Sequence, residues 1–125
     1  MQPKSLTPFV RKWFSEWEPN PPRFGRATTI LNEEISRDPD SAFKRILALV
    51  SAARDKASQE LIGAGPLEDL LSIHGTLIVD RIEAEAARNP CFANCLACVW
   101  GSTRFDPEVF KRVQRITKSK VHSEP

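Results

Sequence analysis

Three side chains on one stretch of this chain could carry proton chemistry. His74, Arg81 and Glu85 all fall inside GAGPLEDLLSIHGTLIVDRIEAEAARNP, residues 63–90. A histidine can exchange a proton near neutral pH, an arginine can hold an anion and a carboxylate can act as a base, so the trio would make a proton-transfer or anion-binding site if it converged in a cleft. The same residues have a structural reading. Arg81 and Glu85 stand four apart, the spacing at which helical neighbours pair, and His74 could donate a ring hydrogen to a carbonyl of an adjoining helix. Buried polar groups are tolerated when paired, and nothing nearby supplies a nucleophile, so the sequence favours a satisfied polar cluster in the core.

Cys91, Cys95 and Cys98 read C-x3-C-x2-C, with the thiolate ligands that iron–sulfur clusters and zinc take. Radical-SAM enzymes use that spacing in a loop of an α/β barrel, for which 125 residues of helical pattern are too few. On a helix the three positions share one face, where small apolar thiols pack well. His74 is the conceivable fourth zinc ligand, yet the spacing is not that of a structural zinc motif, and neither a metal nor another cofactor is expected. An odd, clustered set of cysteines is no disulfide framework and suits a reducing compartment. GxSxG, P-loop, GxGxxG and HExxH motifs are absent, and the second histidine, His122, falls in the tail.

The element that must position His74, Arg81 and Glu85 is a long helix. Gly63 and Gly65 interrupt what precedes it, Pro66 suits a first turn, and Asn89-Pro90 stops it, which gives a span of about Pro66 to Arg88. At 100° per residue, Leu67, Leu70, Leu71, Ile73, Leu77, Ile78 and Ile82 form a broad apolar arc that also takes in the three polar residues. Asp69, Asp80 and Glu83 lie on the opposite, wet face, with Glu68 at its edge.

The rest of the chain shows helix signals and almost no strand signal. A first helix opens at Thr7-Pro8, carries Phe9, Val10, Trp13, Phe14 and Trp17, and ends at Pro19–Pro22. Ala27 to Arg37 gives a second. Asp38-Pro39-Asp40 caps a third, with Phe43, Ile46, Leu47 and Val50 inward, ending near Arg54. A short piece spans 57–62. Asn89-Pro90 starts another helix, with Phe92, Leu96, Val99 and Trp100 in its stripe and Gly101 closing it, and Asp106-Pro107 starts the last. These elements predict one all-α domain over 1–125, an irregular orthogonal bundle of six to seven helices or stacked helical hairpins, with 120–125 a flexible tail.

GPLEDLL at 65–71, His74-Gly75, IEAEA at 82–86, NPCF at 89–92 and the closing L-x-x-VW at 96–100 together resemble a family of small bacterial proteins known as a domain of unknown function. The resemblance covers the middle third of the chain. It implies a compact helical domain and brings no activity, substrate or catalytic residue.

Charge is nearly balanced but unevenly placed. Residues 1–26 hold five basic and two acidic side chains, 55–88 three and seven, and 89–125 six and three, so an acidic centre lies between basic ends. The basic last helix could lie against that centre. Alternatively Arg104, Lys111, Arg112, Arg115, Lys118 and Lys120 could contact nucleic-acid phosphates, a reading that a net charge of +2 and the lack of a DNA-binding motif weaken. No stretch is apolar and long enough for a membrane span, and no signal peptide is seen, so the expected address is cytoplasmic. The function expected is non-catalytic: the domain binds a protein partner, one of basic character, and neutralises or regulates it as an immunity protein, antitoxin or adaptor would, through Glu68, Asp69, Asp80 and Glu83. The alternatives are a small enzyme using His74, Arg81 and Glu85, and a nucleic-acid-binding regulator using the last helix.

Overall fold

The computed structural model describes residues 3–99 and 104–121, with side chains described for 6–99 and 104–117. Among the described residues there are seven α-helices and no strand: α1 Pro3–Trp17, α2 Arg26–Arg37, α3 Pro39–Ala52, α4 Lys56–Ile62, α5 Glu68–Arg88, α6 Pro90–Leu96 and α7 Pro107–Val121. The fold is an all-α helical bundle. α5 packs against α2, α3, α6 and α7, and α3 against α1, α2, α4, α5 and α6, so the contacts cross the chain order instead of passing only between neighbours. One apolar cluster links Trp13, Leu31, Ile46, Leu71, Ile82 and Phe92, all but sealed from water.

Local chemistry explains most boundaries. Asp38 caps α3 by accepting from the Ser41 amide at 3.2 Å, and Asn89 caps α6 by accepting from Phe92 at 3.1 Å, each with proline in the first turn. α1 starts at Pro3, ahead of the Thr7-Pro8 start expected, because Pro8 gives up only one backbone bond close to the free end. At the other end of α1 the chain turns through a cis Asn20–Pro21 peptide.

α2 has no cap of its own, since Gly25 offers no side chain. Glu16 of α1 supplies it from outside. Its carboxylate accepts from the Ala27 amide at 3.0 Å, the Thr28 amide at 2.9 Å and the Thr28 hydroxyl at 2.6 Å. An anion on the amides of a helix start is favourable, and Glu16 is itself buried. A Cβ at Gly25 would stand 2.9 Å from the Glu16 Oε2 atom, so glycine makes room for the carboxylate.

The glycines before α5 do not break the chain as expected. Gly63 is helical at φ −65° and ψ −48°, and α4 runs into α5 through a π-helical turn over Gly63–Leu67. The Glu68 amide reaches back to the Gly63 and Gly65 carbonyls, and the widened turn accommodates Pro66, which has no amide hydrogen to give. Gly63 serves packing. A Cβ there would lie 2.1 Å from the Cys95 carbonyl oxygen, so only glycine lets the end of α6 approach this closely.

α6 ends at Leu96, short of the Gly101 expected. Cys98 and Val99 bond back to the carbonyls three residues earlier, at 3.0 and 3.1 Å, which tightens the last turn and stops the helix. Trp100 and Gly101 lie outside the described residues. α7 reaches Val121; of the expected tail at 120–125, residues 122–125 are outside the described set.

Candidate functional site

The buried line that starts at Leu67 in the π-helical turn runs along α5 through Leu71, Gly75, Ile78, Ile82 and Glu85, a three-to-four residue repeat. Ile73 and Leu77, expected inside, are on the outer face at 53% and 70% exposure. The expected arc was centred on the large aliphatic residues alone. The packed line instead passes through Gly75, where a Cβ would meet the Val109 methyls of α7 at 3.0 and 3.1 Å, and the interior is set by that close approach.

His74, Arg81 and Glu85 do not converge. The His74 ring Nε2–H donates to the Ile35 carbonyl of α2 at 2.8 Å, the contact its structural reading anticipates. His74 also sits at a kink, with φ −123° and ψ 24° in an otherwise helical run. Arg81 is exposed and pairs with Asp40 of α3 at 2.5 Å, its guanidinium 4.8 Å over the Phe43 ring. It does not pair with Glu85. Glu85 is buried and accepts from Arg88 at 2.6 Å and from the Asn89 side chain at 2.9 Å. Burial pushes the Glu85 carboxyl up, but those hydrogen bonds outweigh it and hold it below the usual value. His74 ties α5 to α2 and Arg81 ties it to α3, while Glu85 holds the C-terminal end of α5 itself.

The four acidic residues of α5 expected to bind a partner are already engaged. Glu68 is buried, not at the edge of a wet face, and pairs with Arg104 at 2.8 Å; the same guanidinium reaches Asp69 at 3.1 Å. Arg112 of α7 bridges Asp80 and Glu83, each at 2.6 Å. The Glu83 carboxyl is lowered chiefly by its hydrogen bonds from Arg112, against a smaller effect of burial, and Arg112 is correspondingly raised. The basic end of the chain thus neutralises the acidic centre, the internal arrangement that the charge pattern suggested. Arg104 and Arg112 of the expected phosphate stripe are thus each paired with carboxylates of α5. Lys111 and Arg115 are exposed, while the side chains of Lys118 and Lys120 are outside the described set.

The cysteines are three free thiols. Cys91 lies against the Val50 and Ala53 carbonyls at 3.5 and 3.4 Å, and Gln59 reaches its sulfur at 3.7 Å. Cys95 is sealed in the core, where burial, and then the neighbouring thiols, push its pKa up to about 12. Among the described residues no three His, Cys, Asp or Glu side chains come together as a metal site.

Two features had no signal in helical periodicity. One is the Glu16 cap, for which an uncapped Gly25 start was the available clue. The other is a cleft of about 600 Å³ between the turn after α1 and α4, lined by Trp17, Glu18, Pro22, Glu60 and Leu61 among others. Its two sides are forty residues apart in the sequence, beyond the reach of any local pattern.

An all-α bundle whose central helix is tied down by arginines from the C-terminal region is the class that fold and site define. The chain belongs to a family of unknown function, DUF6869, whose family model matches residues 17–121. No curated protein and no solved structure matches it. No described helix is long and apolar enough to cross a membrane.

Proposed function

We propose that this domain acts by binding another protein, neutralising or regulating it, with the outer face of α5 as the contact surface. The observation that carries the reading is the pair Ile73 and Leu77, one turn apart and at least half exposed. Single exposed apolar residues are ordinary, but this pair has a frame. Arg81 with Asp40 lies on one flank, and Arg112 with Asp80 and Glu83 on the other. An apolar centre inside a ring of charged side chains held in place is the anatomy of a small protein interface. The partner that fits presents an apolar pocket rimmed by both signs of charge. Asp69, Asp80 and Glu83 then serve as the rim, with their arginines, and not as a bare acidic patch.

The reading is tested by placing a photo-crosslinking residue at exposed Thr76 in the native host, with a second probe at exposed Gln114 as control. A single protein should be captured at position 76, and capture should vanish in Ile73→Asp/Leu77→Asp while the helical circular dichroism stays unchanged. Equal capture by the control probe, or capture that survives the aspartates, would exclude this surface.

A further inference from the structure

We propose that the cleft between the Trp17–Pro22 turn and α4 binds an arginine-bearing peptide segment. The charge state of its lining is the first observation. Glu18 and Glu60 face this cleft, and their carboxylates make no hydrogen bond or ion pair. Apart from Glu108, every other described carboxylate is held by an arginine or by amides or a hydroxyl at a helix start. Asp55 adds a third negative charge, one of its oxygens bonded to the Ser58 amide at 2.8 Å, and no lysine or arginine lines the cleft. Most described carboxylates are paired, and the exposed Glu18 and Glu60 leave unpaired negative charge lining this cleft.

The second observation is the wall. Trp17 stacks on Trp13 at 5.3 Å between ring centroids, meets Phe24 at 4.7 Å, and donates its indole N–H to the Thr28 hydroxyl at 3.0 Å. Those contacts fix its ring before any ligand arrives. Pro19 and Pro22 continue a stiff apolar surface beside it, and Leu61 of α4 and Ala64 of the π-helical turn extend it on the other side. A cleft with rigid apolar walls and unpaired carboxylates fits a cation with an apolar stem.

The choice among cations follows from geometry. No three acidic side chains converge among the described residues, so the cleft is not a cage for a hard metal ion. A guanidinium is flat, weakly hydrated and offers hydrogen bonds along several edges, so it can spread across separated carboxylates while its stem lies on Trp17 and proline. An ammonium concentrates its charge at one point and gains less. The volume exceeds what one side chain needs and leaves room for flanking peptide.

Fluorescence anisotropy of a labelled peptide carrying arginines between leucines, titrated with the full chain, tests this. The peptide should saturate, and its citrulline counterpart should bind at least about tenfold more weakly, since loss of the charge removes the charge-assisted bonds. Glu18→Gln/Glu60→Gln should lose about tenfold with the same circular dichroism, whereas Glu108→Gln should bind as the parent does. Ile73→Asp/Leu77→Asp should leave this binding untouched, which separates it from the α5 face. Absent saturation, equal binding of the citrulline peptide, or full affinity in the double glutamine variant would overturn the proposal. Equal competition by spermidine would reassign the cleft to small polyamines.

Discussion

Glu16→Gln is the most telling single change, because one carboxylate holds the start of α2 and does so from another helix. The variant keeps the size of the side chain but removes the charge, and one acceptor becomes a donor aimed at the Ala27 or Thr28 amide. Losing a cap costs about 0.5–2 kcal/mol, and leaving a buried donor unsatisfied about 1–3 kcal/mol. The parts overlap, and about 2–3 kcal/mol is expected in total. For a domain of this size that lowers the melting temperature by roughly 8–12 °C. The pH dependence adds a sharper check. Burial raises the Glu16 carboxyl, but the hydrogen bonds from Thr28, Gly25 and Ala27 outweigh it and place the folded value below 4.5. A carboxylate lowered by folding stabilises fully above its unfolded value and loses that contribution as pH falls through the folded one. Thermal melts of parent and variant should therefore differ most at neutral pH and draw together well below pH 4.5. A variant that melts with the parent at pH 7, or a gap that persists in acid, would refute the assignment of Glu16 as the anchor of α2.

The glycines of the π-helical turn should respond oppositely. Gly63→Ala drives a methyl into the Cys95 carbonyl and should cost about 3 kcal/mol, whereas Gly65→Ala, with nothing within 4 Å, should be neutral or stabilise by about 0.4–1 kcal/mol; denaturant melts distinguish them. Cys95 should resist iodoacetamide in the native protein at pH 8, because it is sealed and its thiol sits near pKa 12, and should react fully in guanidinium; peptide mass mapping reads the order of labelling.

Much of the architecture was legible because its signals are local. Asp38-Pro39 and Asn89-Pro90 each put a cap and a first-turn proline beside an apolar repeat, and α3 and α6 begin where those residues stand. The pairing of His74 with a neighbouring carbonyl could be anticipated from its place on α5, and the charge asymmetry foretold that the basic end would lie on the acidic centre. The outer face of α5 was misplaced because periodicity weighs side chains by hydropathy, and Gly75, which decides the packed side, carries none. Arg81 went astray for a related reason. Helical spacing offered Glu85 as its partner, but a tertiary contact, Asp40 with the Phe43 ring beneath, prevailed. Glu16 and the Trp17 cleft depend on which helices meet, and no local pattern encodes that.

The π-helical turn has a consequence for distance. By carrying α4 into α5 without a loop, it mounts Glu60 of the cleft and Ile73 of the outer face on one continuous helical track. At about 1.5 Å per residue they stand roughly 20 Å apart along it, a separation set by backbone hydrogen bonds. A single ligand that touched both would need to match that interval, a length requirement that comes from the backbone and not from the side chains at either end.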